Sequence, residues 1–306
     1  MTSIDLLSDF LLACLRLSIP LAFAALGGLI SERSGVLNIG LEGMILTGAF
    51  VSAATALALT QPWLAIGAAV VAGALVGLLH AYLCVSLGVN QLVSGLAINL
   101  TAAGFTTYGA RLAFETGTVA LPGINPLNIP GLQHLPILGM FFQQDPLFYL
   151  LLFLLPITTY GLFHTHWGLS LRAVGNAPPA ADTAGISVSS VRYVSVIICG
   201  GLCGLAGAYL ALVHVGFFTE NMSAGKGFIA LAALIFGRWH PIATTLACLL
   251  FGTTEALQLR IQAYGLEIPY QLLAMLPYVT ALAALAGLAG KATPPAALGI
   301  PYKKEK

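Results

Sequence analysis

The sequence predicts an all-α, polytopic membrane protein with about eight to ten transmembrane helices, a weak inverted internal repeat and one or two broken helices. Three observations carry this expectation. Only 12 Lys+Arg and 11 Asp+Glu occur in 306 residues, 8% of the chain, where a soluble domain carries about 25%. Hydrophobic residues make up 58%, with 34 further glycines, so a soluble fold could not cover its own surface. The charges are also segregated: residues 17–31, 43–110, 146–171, 193–219, 239–254 and 268–290 contain none. One crossing needs about 20 predominantly apolar residues, so 43–110 alone accommodates three.

In chain order, the apolar blocks fall at approximately 8–30, 43–60, 62–87, 89–110, 146–164, 190–213, 226–238, 240–258 and 270–290. They exceed the roughly ten residues of a barrel strand and lack its alternation, so each reads as a helix. The first block is expected to stay in place, because the first charges of the N-terminus are Asp5 and Asp9 and not the basic residues of a cleavable signal. Pro62, Pro146 and Pro241 each open a block, where a missing N–H costs least. Block 226–238 is short for a crossing and reads as a half-helix. The chain is expected to form a single transmembrane domain over 1–306, with an external loop at 111–145, a cytoplasmic segment at 164–189 and a cytoplasmic tail at 291–306.

Orientation follows from Lys and Arg in short loops. Lys291, Lys303, Lys304 and Lys306 place the tail in the cytoplasm, and Arg172 and Arg192 against Asp182 place the 164–192 connection on the same side. The 111–145 connection sets Arg111 against Glu115 and Asp145 and belongs outside. Nine alternating spans satisfy all three assignments. The repeat rests on Gly43-Met-Ile-Leu-Thr-Gly-Ala followed by Gln61-Pro-Trp, compared with Gly227-Phe-Ile-Ala-Leu-Ala-Ala followed by Trp239-His-Pro. Inverted repeats with interrupted helices are a transporter plan. Chance likeness between two Ala/Leu/Gly-rich helices explains the match equally well.

A net charge of +1 argues against a nucleic-acid partner. Cys14, Cys84, Cys199, Cys203 and Cys248 sit within apolar blocks without metal spacing and read as packing residues. His164-Thr-His166 beside Trp167 reads as an interfacial polar pair. Ala224-Gly-Lys-Gly227 fails as a phosphate-binding loop, because Glu220 stands where the first glycine is required and Gly227 replaces the Ser/Thr. No catalytic residue, cofactor or metal is expected.

Four residues are candidates for a translocation pathway: Asn38, Glu42, Asn99 and Glu255. The run Ser31-Glu-Arg-Ser-Gly-Val-Leu-Asn-Ile-Gly-Leu-Glu-Gly-Met44 interrupts two apolar helices with three charges and three glycines. It reads either as a broken element lining a pathway, with Asn38 and Glu42 as lining or hinge residues, or as an ordinary loop with a capping glutamate. Asn99, mid-helix, is a pathway residue or interhelical glue, and Glu255 belongs near the outer mouth. Gly200, Gly204 and Ala208 repeat every four residues, which permits close helix approach and makes their helix central or a subunit contact.

The segment Gly168-Leu-Ser-Leu-Arg-Ala-Val-Gly-Asn-Ala-Pro-Pro-Ala-Ala-Asp-Thr-Ala-Gly-Ile186 resembles the coupling segment of permease subunits in bacterial ABC importers, in the branch serving branched-chain amino acids and simple sugars. The 32–44 run, Ala224–Ala233 and the Pro130-Gly-Leu…Pro136-Ile-Leu-Gly139 loop resemble its nucleoside-type members. The resemblance implies import by alternating access in a bacterial cytoplasmic membrane. It also implies partner ATPase subunits, a second permease subunit, identical or different, and a substrate-binding lipoprotein or periplasmic protein. Gly168, Leu171, Arg172, Ala173, Gly175, Ala180, Ala181, Asp182, Ala184 and Gly185 would then form the ATPase-coupling segment. The family usually reads Gly-Glu-Asn-Pro-Arg-Ala-Ala-Asp where this chain has Gly175-Asn-Ala-Pro-Pro-Ala-Ala-Asp182, so an acid and a base are missing. Simple sugars or branched-chain amino acids are alternative cargoes. A secondary transporter coupled through Glu42 and Glu255 is an alternative of another class.

Overall fold

The computed structural model describes residues 3–114, 119–127, 141–263, 269–287 and 293–303. The Pro130–Gly139 motif, Glu115 and the lysines at 291, 304 and 306 lie outside the described residues. The described chain is helical with no strand. Its helices are α1 (Ser3–Arg33), α2 (Leu41–Leu59), α3 (Pro62–Ala81), α4 (Gln91–Ala113), α5 (Pro146–His164), α6 (His166–Asn176), α7 (Pro178–Thr183), α8 (Val188–Ala208), α9 (Lys226–Phe236), α10 (Pro241–Ala263), α11 (Tyr270–Ala274) and α12 (Leu276–Gly287). α3 continues as a π-helical turn over Tyr82–Ser86, and α8 does the same over Tyr209–Val215.

Each of the nine apolar blocks falls on a helix. Among the described residues, six stretches are long and apolar enough to cross a membrane: 6–33, 41–59, 62–86, 146–164, 188–215 and 241–263. α4 has the length, but Gln91, Ser94, Asn99, Thr101, Thr106 and Thr107 lower its hydropathy. α9 has 11 residues and spans only about 16 Å of a hydrocarbon core roughly 30 Å thick, so it is a half-helix. The last block is broken at Met275, where Pro277 removes an N–H and crowds the carbonyl four residues back.

α8 is the central helix, packed against α3, α1 and α2. Its glycines make this possible. A methyl group at Gly200 would overlap the Gly73 carbonyl, one at Gly204 the Ala69 carbonyl, and one at Gly207 the Ile45 carbonyl. α3 and α2 return the contact through Gly73, Gly77 and Gly48. Small residues therefore let three backbones approach where larger side chains would hold them apart. All five cysteines are free and buried.

The ends of the bundle are distinct. One end carries α6, α7 and the C-terminal segment 293–303, and is called here the α6–α7 face. The other is tied by Arg111 Nε to Glu220 Oε1 (3.0 Å), Leu121 N to the Gly216 carbonyl (2.8 Å), and Arg260 to the Leu6 carbonyl (3.0 Å). Asp145 caps α5 by accepting from Phe148 N at 3.0 Å, and burial pushes its carboxyl above the usual range.

Candidate functional site

Between α1 and α2 the chain leaves helical geometry at Ser34 and resumes it at Leu41, and nearly all of this stretch is buried. Gly35 takes φ 89°, a left-handed conformation open to glycine, and starts the reversal. The freed backbone groups are then satisfied from three other helices. Gln91 Oε1 accepts from Leu37 N at 2.7 Å, and His80 lies 3.2 Å from the Leu37 carbonyl and 2.9 Å from Ser94 Oγ. Asn99 makes two bonds, accepting from Gly43 N at 2.8 Å and donating to the Ile39 carbonyl at 3.0 Å. Asn38 accepts from Gly40 N at 3.0 Å and donates to Cys199 Sγ at 3.3 Å. Irregular backbone at this depth is tolerated because protein supplies its hydrogen bonds.

Glu42 sits one residue into α2 and is only 8% exposed. Its carboxylate does not stay within its own helix. Oε1 accepts from Ser223 Oγ (2.6 Å) and Gly225 N (2.8 Å), and Oε2 accepts from Gly227 N (2.6 Å). The carboxylate therefore caps α9, at the junction where two helix N-termini, each the positive end of its dipole, converge. Gly227 has no room for a side chain, since a Cβ would lie 2.6 Å from Glu42 Cα. Lys226, also 8% exposed, turns away to pair with Glu255 at 2.5 Å. Glu255 lies fourteen residues along α10, about 21 Å from its start.

The other end of α9 is fixed to α1. Trp239 donates its indole N–H to Glu32 Oε2 at 2.6 Å, and Arg33 donates through Nε and Nη2 to the Trp239 carbonyl at 2.9 and 2.7 Å. The two segments that resemble one another in sequence, the starts of α2 and of α9, thus meet at Glu42 and are each preceded by non-helical chain.

On the α6–α7 face, Gly168, Leu171, Val174, Gly175 and Ala181 point inward, while Ala180, Ala184 and Gly185 are exposed. Leu171 packs with Leu29, Ile30, Leu234 and Trp239. Gly175 presses on the Arg33 carbonyl, where a Cβ could not fit. Arg172, half-buried beside Ala173, lies over the Phe163 ring at 5.3 Å, and Asp182 accepts from Tyr302 at 3.2 Å. The positions where the family carries its acid and base, Asn176 and Pro179, are both exposed.

Residues 293–303 run across this face as a strap. Ala297 N donates to the Gly175 carbonyl (2.9 Å), Gly299 N to the Gly35 carbonyl (3.1 Å), and Ala296 N to Asn176 Oδ1 (3.3 Å). Arg192, only 1% exposed, donates to the Ser34 carbonyl at 3.3 Å and the Ile300 carbonyl at 3.1 Å. The strap therefore joins α6 and α7 to the α1–α2 break.

The structure brings Asn38, Glu42 and Asn99 together around the start of α2, while Glu255 meets them only through Lys226 and the α9 N-terminus. The sequence marks Gly225 and Lys226 only as part of a failed phosphate loop and of the family-like run Ala224–Ala233, and it does not single out Ser223. Sequence reasoning treated Arg192 and the tail as charges that set orientation. Lys226 carried a usable signal, a lone lysine within apolar sequence.

The family model described as branched-chain amino acid transport system / permease component matches residues 10–285. The chain belongs to this family. It is 41% identical over 319 residues to the guanosine ABC transporter permease protein NupQ of Bacillus subtilis, with 100% of both chains covered. It is 40% identical over 300 residues to the nucleoside ABC transporter permease protein NupC of Lactococcus lactis, covering 94% of this chain and 95% of the relative. A more distant relative, the guanosine ABC transporter permease protein NupP of Bacillus subtilis, is 25% identical over 250 residues, covering 76% and 69%. No solved structure matches.

Proposed function

We propose that this chain is the membrane-spanning subunit of an ATP-driven ABC importer that translocates nucleosides across a bacterial cytoplasmic membrane by alternating access. The observation that carries the reading is the ledge formed by α6 and α7, whose exposed Ala180, Ala184 and Gly185 sit on a buried layer held to the α1–α2 break through Gly175 and the strap. A partner ATPase docking on small exposed residues would move the ledge, and the ledge would carry Ser34–Gly40 and the α2 start with it. The α6–α7 face is cytoplasmic in this reading, and the substrate-binding protein engages the opposite face. Nucleosides are favoured over sugars or amino acids by relatives named for guanosine and nucleosides that match nearly full length. Because Bacillus subtilis has both a close and a distant relative named for guanosine, the second permease subunit is proposed to be a divergent chain and not a copy of this one.

The test is guanosine uptake into proteoliposomes holding the permease pair, the ATPases and the binding protein. Uptake should require ATP hydrolysis and cease when the ATPases are omitted. Uptake that runs on a proton or sodium gradient without ATP would overturn the reading in favour of ion-coupled transport.

A further inference from the structure

A chain with so few charges places three ionisable side chains around one cavity near the end opposite α6 and α7. Asp9 and Arg16 project from the first half of α1, and Arg16 lies seventeen residues before Arg33, about 25 Å along the helix. His214 projects from the π-helical end of α8. Asp9, Arg16 and His214 line a cavity of about 410 Å³, closed on its apolar side by Leu12, Val213 and Leu259. That volume falls within the roughly 300–1,000 Å³ typical of small-molecule sites.

Packing alone gives no reason for this arrangement. An arginine and an aspartate within a membrane span are costly unless they face a polar partner or a watery cavity. Asp9, Arg16 and His214 are all exposed on the cavity side. The wide π-helical turn shifts the register of the last residues of α8, and such turns concentrate at functional sites. Charge adds a selection rule. One carboxylate, Asp9, stands against one guanidinium, Arg16, so the lining has no net preference for an anion or a cation. It does offer hydrogen-bond acceptors, donors and an imidazole able to serve as either. The leucine and valine wall suits the face of a flat ring.

We propose that this cavity is a transient binding site for the transported solute, a neutral, ring-bearing molecule of nucleoside size with several hydroxyl or amine groups. The proposal rests on the nucleoside reading above and locates where the chain would touch the cargo. Arg16 and Asp9 would bond its polar edge, and Leu12, Val213 and Leu259 would face its ring.

Guanosine uptake by the complete reconstituted assembly, with the concentration dependence measured, tests it. Arg16→Gln, Asp9→Asn and the space-filling Leu259→Trp should each raise the half-saturating guanosine concentration by roughly tenfold, the effect of losing one charge-assisted hydrogen bond or the equivalent space. ATP hydrolysis measured on the same vesicles reports whether each variant is inserted and coupled. If the variants transport guanosine as the unaltered chain does, the cavity is not a solute site. A loss of hydrolysis as large as the loss of uptake also overturns the assignment, because it marks a structural role. If the unaltered assembly imports no nucleoside at all, the substrate reading falls first and the stated ligand class falls with it.

Discussion

At Glu42 one carboxylate serves three donors on a segment about 180 residues further along the chain, the hydroxyl of Ser223 and the amides of Gly225 and Gly227. Leaving a buried donor without its acceptor costs about 1–3 kcal/mol, so Glu42→Ala should destabilise the protein by several kcal/mol. Glu42→Gln keeps one acceptor oxygen and should lose less. Thermal unfolding in detergent would resolve the order, and an alanine variant that melts with the unaltered chain would show that the cap contributes nothing. Glu42 was legible from sequence as an unusual residue at a helix start. Its partners were not, because two of the three are backbone amides, which carry no side-chain signature. Asn99 shows the same limit: its polarity stood out, while the Ile39 carbonyl and Gly43 amide it binds are invisible in a sequence.

The decisive element is α8. Its four-residue spacing of small side chains announced a close contact, and the structure supplies the partners, Gly73, Gly77 and Gly48. Gly200→Val should push α8 off α3 and cost at least the roughly 1–3 kcal/mol of overpacking, with loss of folded protein on size-exclusion chromatography. Gly104→Ala in α4 should be silent, since nothing lies within 4 Å of its Cβ position. Normal recovery of the Gly200 variant would refute the packing argument. α9 was read correctly as a half-helix from its length. The π-helical ends of α3 and α8 were not foreseen, because a shift from four- to five-residue hydrogen bonding leaves composition unchanged. The strap was also missed: the tail lysines speak only to its side of the membrane, whereas its hold comes from the main chain of Ala296, Ala297, Gly299 and Ile300.

For the whole molecule, the charge map set out nine helical blocks and their order, and the alternation it implies can be tested by labelling. All five native cysteines are buried, so a cysteine introduced at an exposed site reports alone. Lys303→Cys should react with a membrane-impermeant maleimide only from the cytoplasmic side, and Asn125→Cys only from outside. Labelling of both from one side would break the nine-span topology. Ending the chain after residue 292 should leave insertion intact but sharply reduce ATP-driven uptake. It removes the backbone bonds to Gly175 and Gly35, the Ile300 carbonyl from Arg192, and the bonds to Asn176 and Asp182. Unchanged uptake would show that the strap transmits nothing.

Arg192 also sets a schedule for biogenesis. Its guanidinium is buried against two carbonyls, and the second belongs to a residue 108 positions later in the chain. At a synthesis rate of about 5–20 residues per second, that residue emerges from the ribosome roughly 5–20 s after Arg192. Until then the arginine has only the Ser34 carbonyl, and α6 and α7 lack their brace. The α6–α7 face is thus completed only once residues 296–300 have emerged to bond Gly175, Gly35 and Arg192.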